Sequence, residues 1–232
     1  EDVYADLCED AEITGDLHTN SNGACTAANV FSLGTPPPPL DFPVTTEQID
    51  EWKAEAEAGG IINGDYSLSS GQTSLGPKKI VANMTLQNDA ILKIKGTIWV
   101  TGNITIQNNA IAQLDPAEYG SYSGIIIADG GIILQNNGQA KGSGQPGSYL
   151  IAISLKSIFP AITIKNNFQA DILFAPNNFI DIENNIVLRE VSGYGISIRN
   201  NAVLRYEIGL QDAEFISGPN GGWVVTSWKE IE

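Results

Sequence analysis

Two carboxylates and two bases have the spacing of a site that could bind or cleave a glycan. Asp181 and Glu183 lie two positions apart in an alternating segment, so both side chains point to the same face of a strand. The strand rise separates their carboxyl groups by roughly 6 to 7 Å, close to the spacing of paired carboxylates in glycoside hydrolases. Lys165 and Arg199 are predicted to flank Glu183 on neighbouring strands. Because bases that neutralise a carboxylate oppose proton transfer from it, the flanking residues favour binding over cleavage.

Other kinds of catalytic or metal site are not indicated. His18 is the sole histidine, it lies in a turn-rich segment without an acid or nucleophile partner, and it is predicted to be a surface residue. No G-x-S-x-G motif occurs, and the glycine-rich stretches ADGGIIL and GSGQPGS lack the context of a nucleotide-binding loop. The segment GDLHTNSNG lacks EF-hand spacing and supports a calcium-dependent role only weakly. We therefore expect no cofactor, no metal and no enzymatic activity.

The distribution of charge argues against nucleic acid as a partner. The net charge is −15, and residues 1–57 contain 13 acidic residues against Lys53 alone, whereas the remainder contains 14 acidic and 11 basic residues. An acidic surface repels phosphate backbones, so the acidic N-terminal part is interpreted as a solvated, solubilising face. The chain has no run of about 18 apolar residues, and we expect no membrane contact by this segment.

The two cysteines, Cys8 and Cys25, are 17 positions apart in a chain without other thiols. This pattern predicts a disulfide and an oxidising compartment, because a bridge of that loop size contributes roughly 3 kcal/mol in the chain-entropy model. Two free buried thiols are the alternative. Neither cysteine has the C-x-x-C or zinc-ligand spacing that would indicate a redox or metal site.

Six segments share alternating apolar residues followed by a pair of polar residues that begins with asparagine. They are MTLQNDAIL, ITIQNNAIA, IILQNNGQA, ITIKNNFQA, IDIENNIVL and ISIRNNAVL. Their leading asparagines, at successive spacings of 20, 28, 30, 18 and 16, are Asn88, Asn108, Asn136, Asn166, Asn184 and Asn200. A minimum period of roughly 16 to 20 residues is too short for a repeat that contains a helix, and it is typical of one turn, or rung, of a parallel β-helix.

Each rung is predicted to consist of two or three strands whose side chains alternate between the interior and the outside. In the second copy Ile104 and Ile106 face inward, whereas Thr105 and Gln107 face outward. The asparagine pair then forms a corner, because asparagine tolerates the left-handed backbone region. Its amide can also bond the equivalent amide on the next rung, about 4.8 Å away. The sequence therefore predicts an all-β, parallel β-helix with Asn-Asn corners.

One amphipathic helix is predicted between a proline-rich spacer and the repeats. The segment TTEQIDEWKAEAEAGG has the capping-box pair Thr45 and Gln48, with Thr46 as the alternative cap, and it ends at Gly59. Its apolar face consists of Ile49, Trp52 and Ala56. We expect this helix to seal an end of the β-helix or to lie against its side. The apolar outward positions that would benefit from a cover are Ile91, Ile111, Val187 and Val203.

These elements predict three parts of the chain. Residues 1–33 form an N-terminal disulfide-linked segment with a first, detached rung, and residues 34–60 form the proline-rich spacer and capping helix. Residues 61–232 form the β-helix, closed by a C-terminal strand in GGWVVTSWKEIE.

Outward polar rows are interpreted as complementary surfaces between rungs. One charged row contains the glycan-site residues Lys165, Glu183 and Arg199. A second charged row is expected at Lys141, Asp171, Arg189 and Arg205. A solenoid that binds ice through threonine ranks is a further alternative, but its row is too mixed. That row is Thr85, Thr105, Ile133, Thr163, Asp181 and Ser197.

The repeats and the terminal GGWVVTSWKE resemble bacterial surface proteins associated with type IV pili, in which a pilin-like membrane helix precedes an exported β-helical domain. The likeness covers roughly residues 60–232, and the stacking more distantly resembles the polymer-forming bactofilins. The resemblance implies export, surface display and association with pili or the cell envelope, and it implies no catalytic residues. The anchoring helix of the family would have to lie upstream of Glu1.

The sequence as a whole favours a non-catalytic, extracellular or cell-surface protein that serves as a structural or adhesive module. Its expected partners are pilus or other surface proteins and surface glycans, and self-association is possible. The alternative is a β-helix that binds or cleaves glycans with Asp181 and Glu183, assisted by Lys165 or Arg199.

Overall fold

The computed structural model describes residues 3–34, 44–200 and 202–204 of the 232-residue chain. The chain divides into two compact units, Glu1–Asp41 and Phe42–Glu232. The predicted closing strand near the C-terminus and Arg205 lie outside the described residues. Neither described helix has the length and apolar character needed to cross a membrane.

The first unit contains three short parallel strands, β1 (Val3–Glu9), β2 (Leu17–Gly23) and β3 (Val30–Phe31), stacked in that order. Where the sequence predicts one detached rung, the structure has three strands in register. The predicted disulfide between Cys8 and Cys25 is confirmed, and together with Leu17 it forms the small buried core of this unit. A bridge at this place is reasonable, because so few apolar residues are available here to stabilise a fold.

The sole histidine lies in an aromatic column on the outside of this unit. The ring of His18 stacks on Tyr4, with centroids 4.2 Å apart, and on Phe31, with centroids 5.0 Å apart. The column follows from the parallel register, which places Tyr4, His18 and Phe31 opposite one another. His18 therefore contributes to packing between strands.

The second unit begins with the predicted helix α1 (Thr46–Ala58). Thr45 is its N-cap and forms the complete capping box with Gln48, and Gly59 follows its last residue. The buried residues of the helix are Ile49, Trp52 and Ala56, as the helical periodicity predicts.

The remainder of the second unit is the predicted parallel β-helix, and the fold prediction is confirmed. Its strands and one additional short helix follow in chain order. The first two rungs contain β4 (Ile61–Asn63), β5 (Tyr66–Leu68), β6 (Gln72–Leu75), β7 (Lys78–Val81), β8 (Met84–Leu86) and β9 (Ile91–Ile94). The third contains β10 (Ile98–Val100), β11 (Ile104–Ile106) and β12 (Ile111–Leu114), followed by α2 (Pro116–Tyr119). The later rungs contain β13 (Gly124–Ala128), β14 (Ile132–Leu134), β15 (Gln139–Lys141), β16 (Leu150–Ser154), β17 (Ile162–Lys165), β18 (Gln169–Glu183), β19 (Val187–Arg199) and β20 (Val203–Leu204).

The strands of each rung pair in parallel with the equivalent strands of the next rung. For example, β11 pairs with β8 on one side and with β14 on the other, so Thr105 lies opposite both Thr85 and Ile133. The earlier rungs have three separate strands, whereas β18 and β19 each run through a corner as one long, bent strand. A sequence repeat therefore corresponds to one layer of the solenoid.

The interior is filled by the residues that the alternation predicts. Ile104 and Ile106 are fully buried, as are Ala110 and Ala112 after the corner. Alternation within a short strand thus separates the apolar interior from the polar outside on every rung.

One pair of corner residues shows how neighbouring rungs fit together. Gly138 follows the asparagine pair where the preceding rung has an alanine, and a Cβ atom at this position would lie 2.6 Å from the ring of Phe168. Phe168, at the equivalent position of the next rung, is fully buried. The smallest residue in one layer therefore makes room for the largest in the next.

The asparagine pairs form the corners as predicted. Every described corner position has a positive φ, between 53° and 63°, which is the left-handed region that asparagine and aspartate tolerate. The backbone N–H of the second residue donates to the carbonyl oxygen of the next rung's first asparagine, as from Asn109 to Asn136 at 3.0 Å. The corner therefore uses both its side chains and its backbone to join layers.

A second amide column occupies another corner. Asn103 donates its side-chain N–H to Oδ1 of Asn83 at 3.2 Å, and Asn83 donates in the same way to Asp65 at 3.1 Å. Oδ1 of Asn103 in turn accepts the backbone N–H of Gly131 at 2.8 Å. The sequence pattern does not predict this column, because its residues lack the paired-asparagine signature.

Helix α1 lies against the side of the β-helix, over strands in which both faces are apolar. Its Trp52 packs in a buried cluster with outward-facing Ile127, Ile153 and Phe174. The apolar row that begins with Ile91 and Ile111 is on a different face, so the expectation that the helix covers that row is wrong. The physical reason is that the continuous runs GIIIA and LIAIS expose more apolar surface on their outer side than the isolated residues of the other row.

Polar contacts fix the edge of this helix. Lys53 forms an ion pair with Asp129 at 2.6 Å, and Lys79 forms one with Glu57 at 2.9 Å. Trp99 lies between them, since its indole Nε1 donates to Asp129 at 3.0 Å and its ring lies 4.0 Å from the Lys79 ammonium. The helix is thus joined to the solenoid by an apolar centre and a charged rim.

Candidate functional site

The structure brings the four predicted glycan-site residues to one face of the last described rungs. Lys165 lies in β17, Asp181 and Glu183 lie in β18, and Arg199 lies in β19. The parallel register places Lys165 opposite Glu183, and Glu183 opposite Arg199. Alternation within a strand puts Asp181 and Glu183 on the same side, as predicted.

Arg199 holds both carboxylates of this set. Its Nη2 atom lies 2.5 Å from Oδ1 of Asp181 and 2.7 Å from Oε1 of Glu183. The hydrogen bond to Asp181 is the main cause that raises the pKa of Arg199, and the negative charge of both acids adds to it. Both acids are therefore occupied by one guanidinium, which makes them poor candidates for proton transfer or nucleophilic attack.

Lys165 does not complete the predicted alternation of charges. It lies opposite Glu183 in the register, yet within the described part of the chain its ammonium forms no ion pair with that carboxylate. Of the two ion pairs that the predicted series of positive, negative and positive charges would contain, only the pair between Glu183 and Arg199 forms among the described residues.

The residues of the threonine row, which the ice-binding alternative requires, lie opposite one another on successive rungs. Thr163 is opposite Ile133, and Asp181 is opposite Ser197. Isoleucine and a charged aspartate interrupt the row. The row is therefore not a regular hydroxyl array.

A second charged set, Lys141, Asp171 and Arg189, lies in a concave region between the later rungs. Asp171 is 6% exposed. Its Oδ2 atom accepts the backbone N–H groups of Gly142 at 2.6 Å and Leu150 at 3.1 Å, and its Oδ1 atom accepts the Nε–H of Arg189 at 2.9 Å. Burial raises the pKa of Asp171 above the ordinary 3.8, although these hydrogen bonds and the charge of Arg189 act in the opposite direction.

Two adjoining cavities open at this set. One has a volume of about 260 Å³ and the other of about 530 Å³, and both are lined by Lys141, Asp171 and Arg189. We call the surface of the first cavity the Lys141 groove. Its outward-facing residues are Gln139, Lys141, Gln169, Asp171, Val187 and Arg189.

The loop between β15 and β16 forms the wall of the second cavity, and serine side chains hold it in place. The Ser148 hydroxyl donates to the carbonyl oxygen of Tyr122 at 2.7 Å and accepts the backbone N–H of Ser143 at 2.9 Å. The Ser123 hydroxyl donates to the carbonyl oxygen of Gly147 at 3.2 Å. Together with the two N–H groups bound by Asp171, these contacts give a glycine-rich loop a defined shape.

The sequence pattern predicts the charges of this second set but not the cavities. It places Lys141, Asp171 and Arg189 in a row of complementary charges, which the Asp171–Arg189 ion pair supports. The concave shape depends on the wall formed by the loop between β15 and β16. In the sequence, the only signal of this loop is the long spacing between the third and fourth asparagine pairs.

Among the described residues, no group of three or more histidine, cysteine or acidic side chains is arranged to hold a metal ion. No family model, no curated protein and no solved structure matches the chain. The fold itself defines the class: the chain is a parallel β-helix with amide-stacked corners, a side-covering helix and a small disulfide-linked N-terminal unit.

Proposed function

We propose that the chain is a non-catalytic, exported surface protein that acts as a structural or adhesive module. The observation that carries the proposal is the engagement of Asp181 and Glu183 by Arg199, at 2.5 Å and 2.7 Å. The two carboxylates that the sequence spacing marks as a glycosidase-like pair act here as links between rungs.

The stacking of layers supports a structural role. Amide columns and ion pairs run along the solenoid axis and repeat the same contact on successive rungs, as from Asn136 to Asn108 and from Asn166 to Asn136. Such a body is held together by nearest-neighbour contacts and is suited to present a long outer surface.

An oxidising location agrees with this role. The Cys8–Cys25 disulfide belongs to the kind of bond that persists outside the reducing cytosol. The sequence resemblance to surface proteins associated with type IV pili suggests the cell surface, pili or the envelope as the site of action.

Glycan cleavage is the second candidate, and one observation favours it. Asp171 lines a cavity and burial raises its pKa, which is the condition that a general acid requires. However, all of its described hydrogen bonds are accepted ones, from Gly142, Leu150 and Arg189, and these stabilise the carboxylate form that holds the loop.

The two candidates are separated by a cleavage assay on the full chain. The wild-type protein and the double variant Asp181→Asn/Glu183→Gln are incubated with a panel of acidic and neutral polysaccharides, and new reducing ends are measured. We expect none from either protein. Any cleavage by the wild type would overturn the non-catalytic proposal. Its loss in the double variant would assign it to Asp181 and Glu183, and its loss in Asp171→Asn would assign it to Asp171.

Surface display is tested on intact cells that express the full-length gene product. A membrane-impermeant amine-reactive biotin reagent is expected to label the protein without lysis. Labelling that occurs only after lysis would contradict the proposed location.

A further inference from the structure

We propose that the Lys141 groove binds uronate-bearing oligosaccharides, with Lys141 and Arg189 recognising the sugar carboxylate and Gln139 and Gln169 recognising hydroxyl groups. The inference rests on the proposed adhesive function and names a ligand class for it. It also moves the glycan site away from Asp181 and Glu183.

The groove exists because the rungs change length at this place. The leading asparagines Asn108, Asn136 and Asn166 are separated by 28 and 30 positions, and the next two separations are only 18 and 16. The extra residues of the first long rung include α2, between β12 and β13, and those of the second include the loop between β15 and β16, which lines the second cavity. The resulting step in the cross-section leaves a concave surface beside β18 and β19.

The wall of this step is built to keep its shape without a ligand. Asp171 binds the first and last parts of the loop through Gly142 and Leu150, and the serine contacts described above hold the residues between them. Preformed concave sites of a few hundred cubic ångströms are typical of ligand binding, because little entropy is lost when the ligand enters.

The charge of the groove favours an anion. Lys141 and Arg189 contribute two positive charges and Asp171 one negative charge, so the lining has a net charge of +1 in a chain whose net charge is −15. The ammonium of Lys141 bonds the neutral amide oxygen of Gln139 at 2.6 Å and has no carboxylate partner among the described residues. A cation in a concave, half-buried position attracts a negatively charged group more strongly than one on a convex surface.

The remaining lining suits a sugar better than a bare ion. Gln139 and Gln169 lie opposite each other on adjacent rungs, and each amide has both donor and acceptor atoms for hydroxyl groups. The Arg189 guanidinium lies 5.7 Å from the ring centroid of Tyr149, which stiffens the arginine at the junction of the two cavities. Gln139 and Gln169 lie on two successive rungs, so the two amides are placed to contact more than one sugar unit of a linear chain.

The test compares uronate trisaccharides with their methyl esters, which keep the sugar skeleton and lose the charge. Galacturonate, glucuronate and mannuronate trisaccharides are titrated into the full wild-type chain by calorimetry at low and moderate salt. We expect at least one acid to bind at least tenfold more tightly than its methyl ester, with affinity that falls as salt rises.

Lys93 supplies the matched control. Its ammonium also bonds a neutral glutamine, Gln113, at 2.5 Å on the same outward column, but it lines neither cavity. Lys141→Gln is expected to weaken binding about tenfold or more, and Lys93→Gln is expected to leave it unchanged. Amide exchange of β15 and β16 shows whether either variant has lost its fold.

Four outcomes would overturn the inference. The first three are no binding of any uronate, equal binding of the acid and its methyl ester, and equal loss in the Lys93 and Lys141 variants. The fourth is full displacement by millimolar sulfate, which would show a simple anion site. None of these outcomes involves new reducing ends, which are the readout of the cleavage assay. Failure of the groove proposal can therefore be distinguished from failure of the non-catalytic proposal.

Discussion

The side-chain amide of Asn136 donates a 3.0 Å hydrogen bond to Oδ1 of Asn108, one rung earlier in the β-helix. The same contact joins every neighbouring pair of leading asparagines, at 3.0 to 3.4 Å. A column of this kind gives each amide a hydrogen-bond partner. It also places asparagine at a corner whose left-handed backbone conformation this residue tolerates. It explains why the repeat keeps asparagine where the surrounding residues vary.

The contribution of the column can be divided into a side-chain and a backbone part. Asn136→Gly keeps the left-handed corner and loses two amide contacts, which is expected to cost about 1–2 kcal/mol of unfolding free energy. Asn136→Ala also forces a Cβ atom into that backbone region, at about 1–2 kcal/mol more. Urea unfolding measures both variants, and an alanine variant as stable as the glycine variant would contradict the backbone part.

The side helix should be an integral part of the second unit. Trp52 is 3% exposed in the cluster with Ile127 and Phe174, so Trp52→Ala is expected to lower the unfolding free energy by about 3–5 kcal/mol and to expose the outer apolar face. Chemical unfolding and binding of a hydrophobic dye report the two effects. Glu51→Ala, on the exposed side of the same helix, should change neither quantity appreciably.

The close contact between Gly138 and Phe168 should make their substitutions non-additive. Gly138→Ala alone places a Cβ atom against the ring and is expected to cost about 1–3 kcal/mol, whereas Phe168→Ala alone leaves a cavity and costs about 3–5 kcal/mol. In the double variant the clash is absent, so its loss should be smaller than the sum of the two. A strictly additive double-mutant cycle from urea unfolding would argue against this packing.

The N-terminal unit should depend on its disulfide. Reduction, or the variant Cys8→Ser/Cys25→Ser, is expected to remove roughly 3 kcal/mol of local stability, because the reduced loop gains conformational freedom. Hydrogen exchange of the β1 and β2 amides, Leu17 included, should accelerate on reduction. Unchanged protection would show that packing around Leu17 suffices without the bridge.

Asp171 should titrate above an ordinary aspartate. Burial raises the pKa of Asp171 in the folded state, so protonation of this carboxyl group stabilises the fold. This contribution to the unfolding free energy is fully present below the ordinary pKa of 3.8, and it is lost as pH rises through the raised folded pKa. Carbon-13 NMR of labelled aspartate follows the carboxyl group directly. A midpoint at or below 3.8 would mean that Arg189 and the backbone N–H groups outweigh the cost of burial.

Much of the fold is predictable from local patterns. Alternation such as that around Ile104 and Ile106 encodes which side chains are buried, and paired asparagines encode the corners. The capping pair Thr45 and Gln48 marks where the helix starts. Each of these signals depends on residues within a few positions, because strand alternation, left-handed corners and helix caps are local properties of the backbone.

The candidate site was less predictable. Sequence spacing correctly places Asp181 and Glu183 on one face, but it does not reveal that Arg199 binds both of them. The Lys141 groove has no local signature, because its wall and floor come from rungs of different length that are far apart in the sequence.

By itself, therefore, the amino-acid sequence determined the repeating layer, its corners, the disulfide and the helix. The tertiary structure alone decided which face the helix covers, which charges pair and where the surface becomes concave. The physical reason is that these features arise from contacts between successive layers. Such contacts depend on how much chain each rung inserts between its corners.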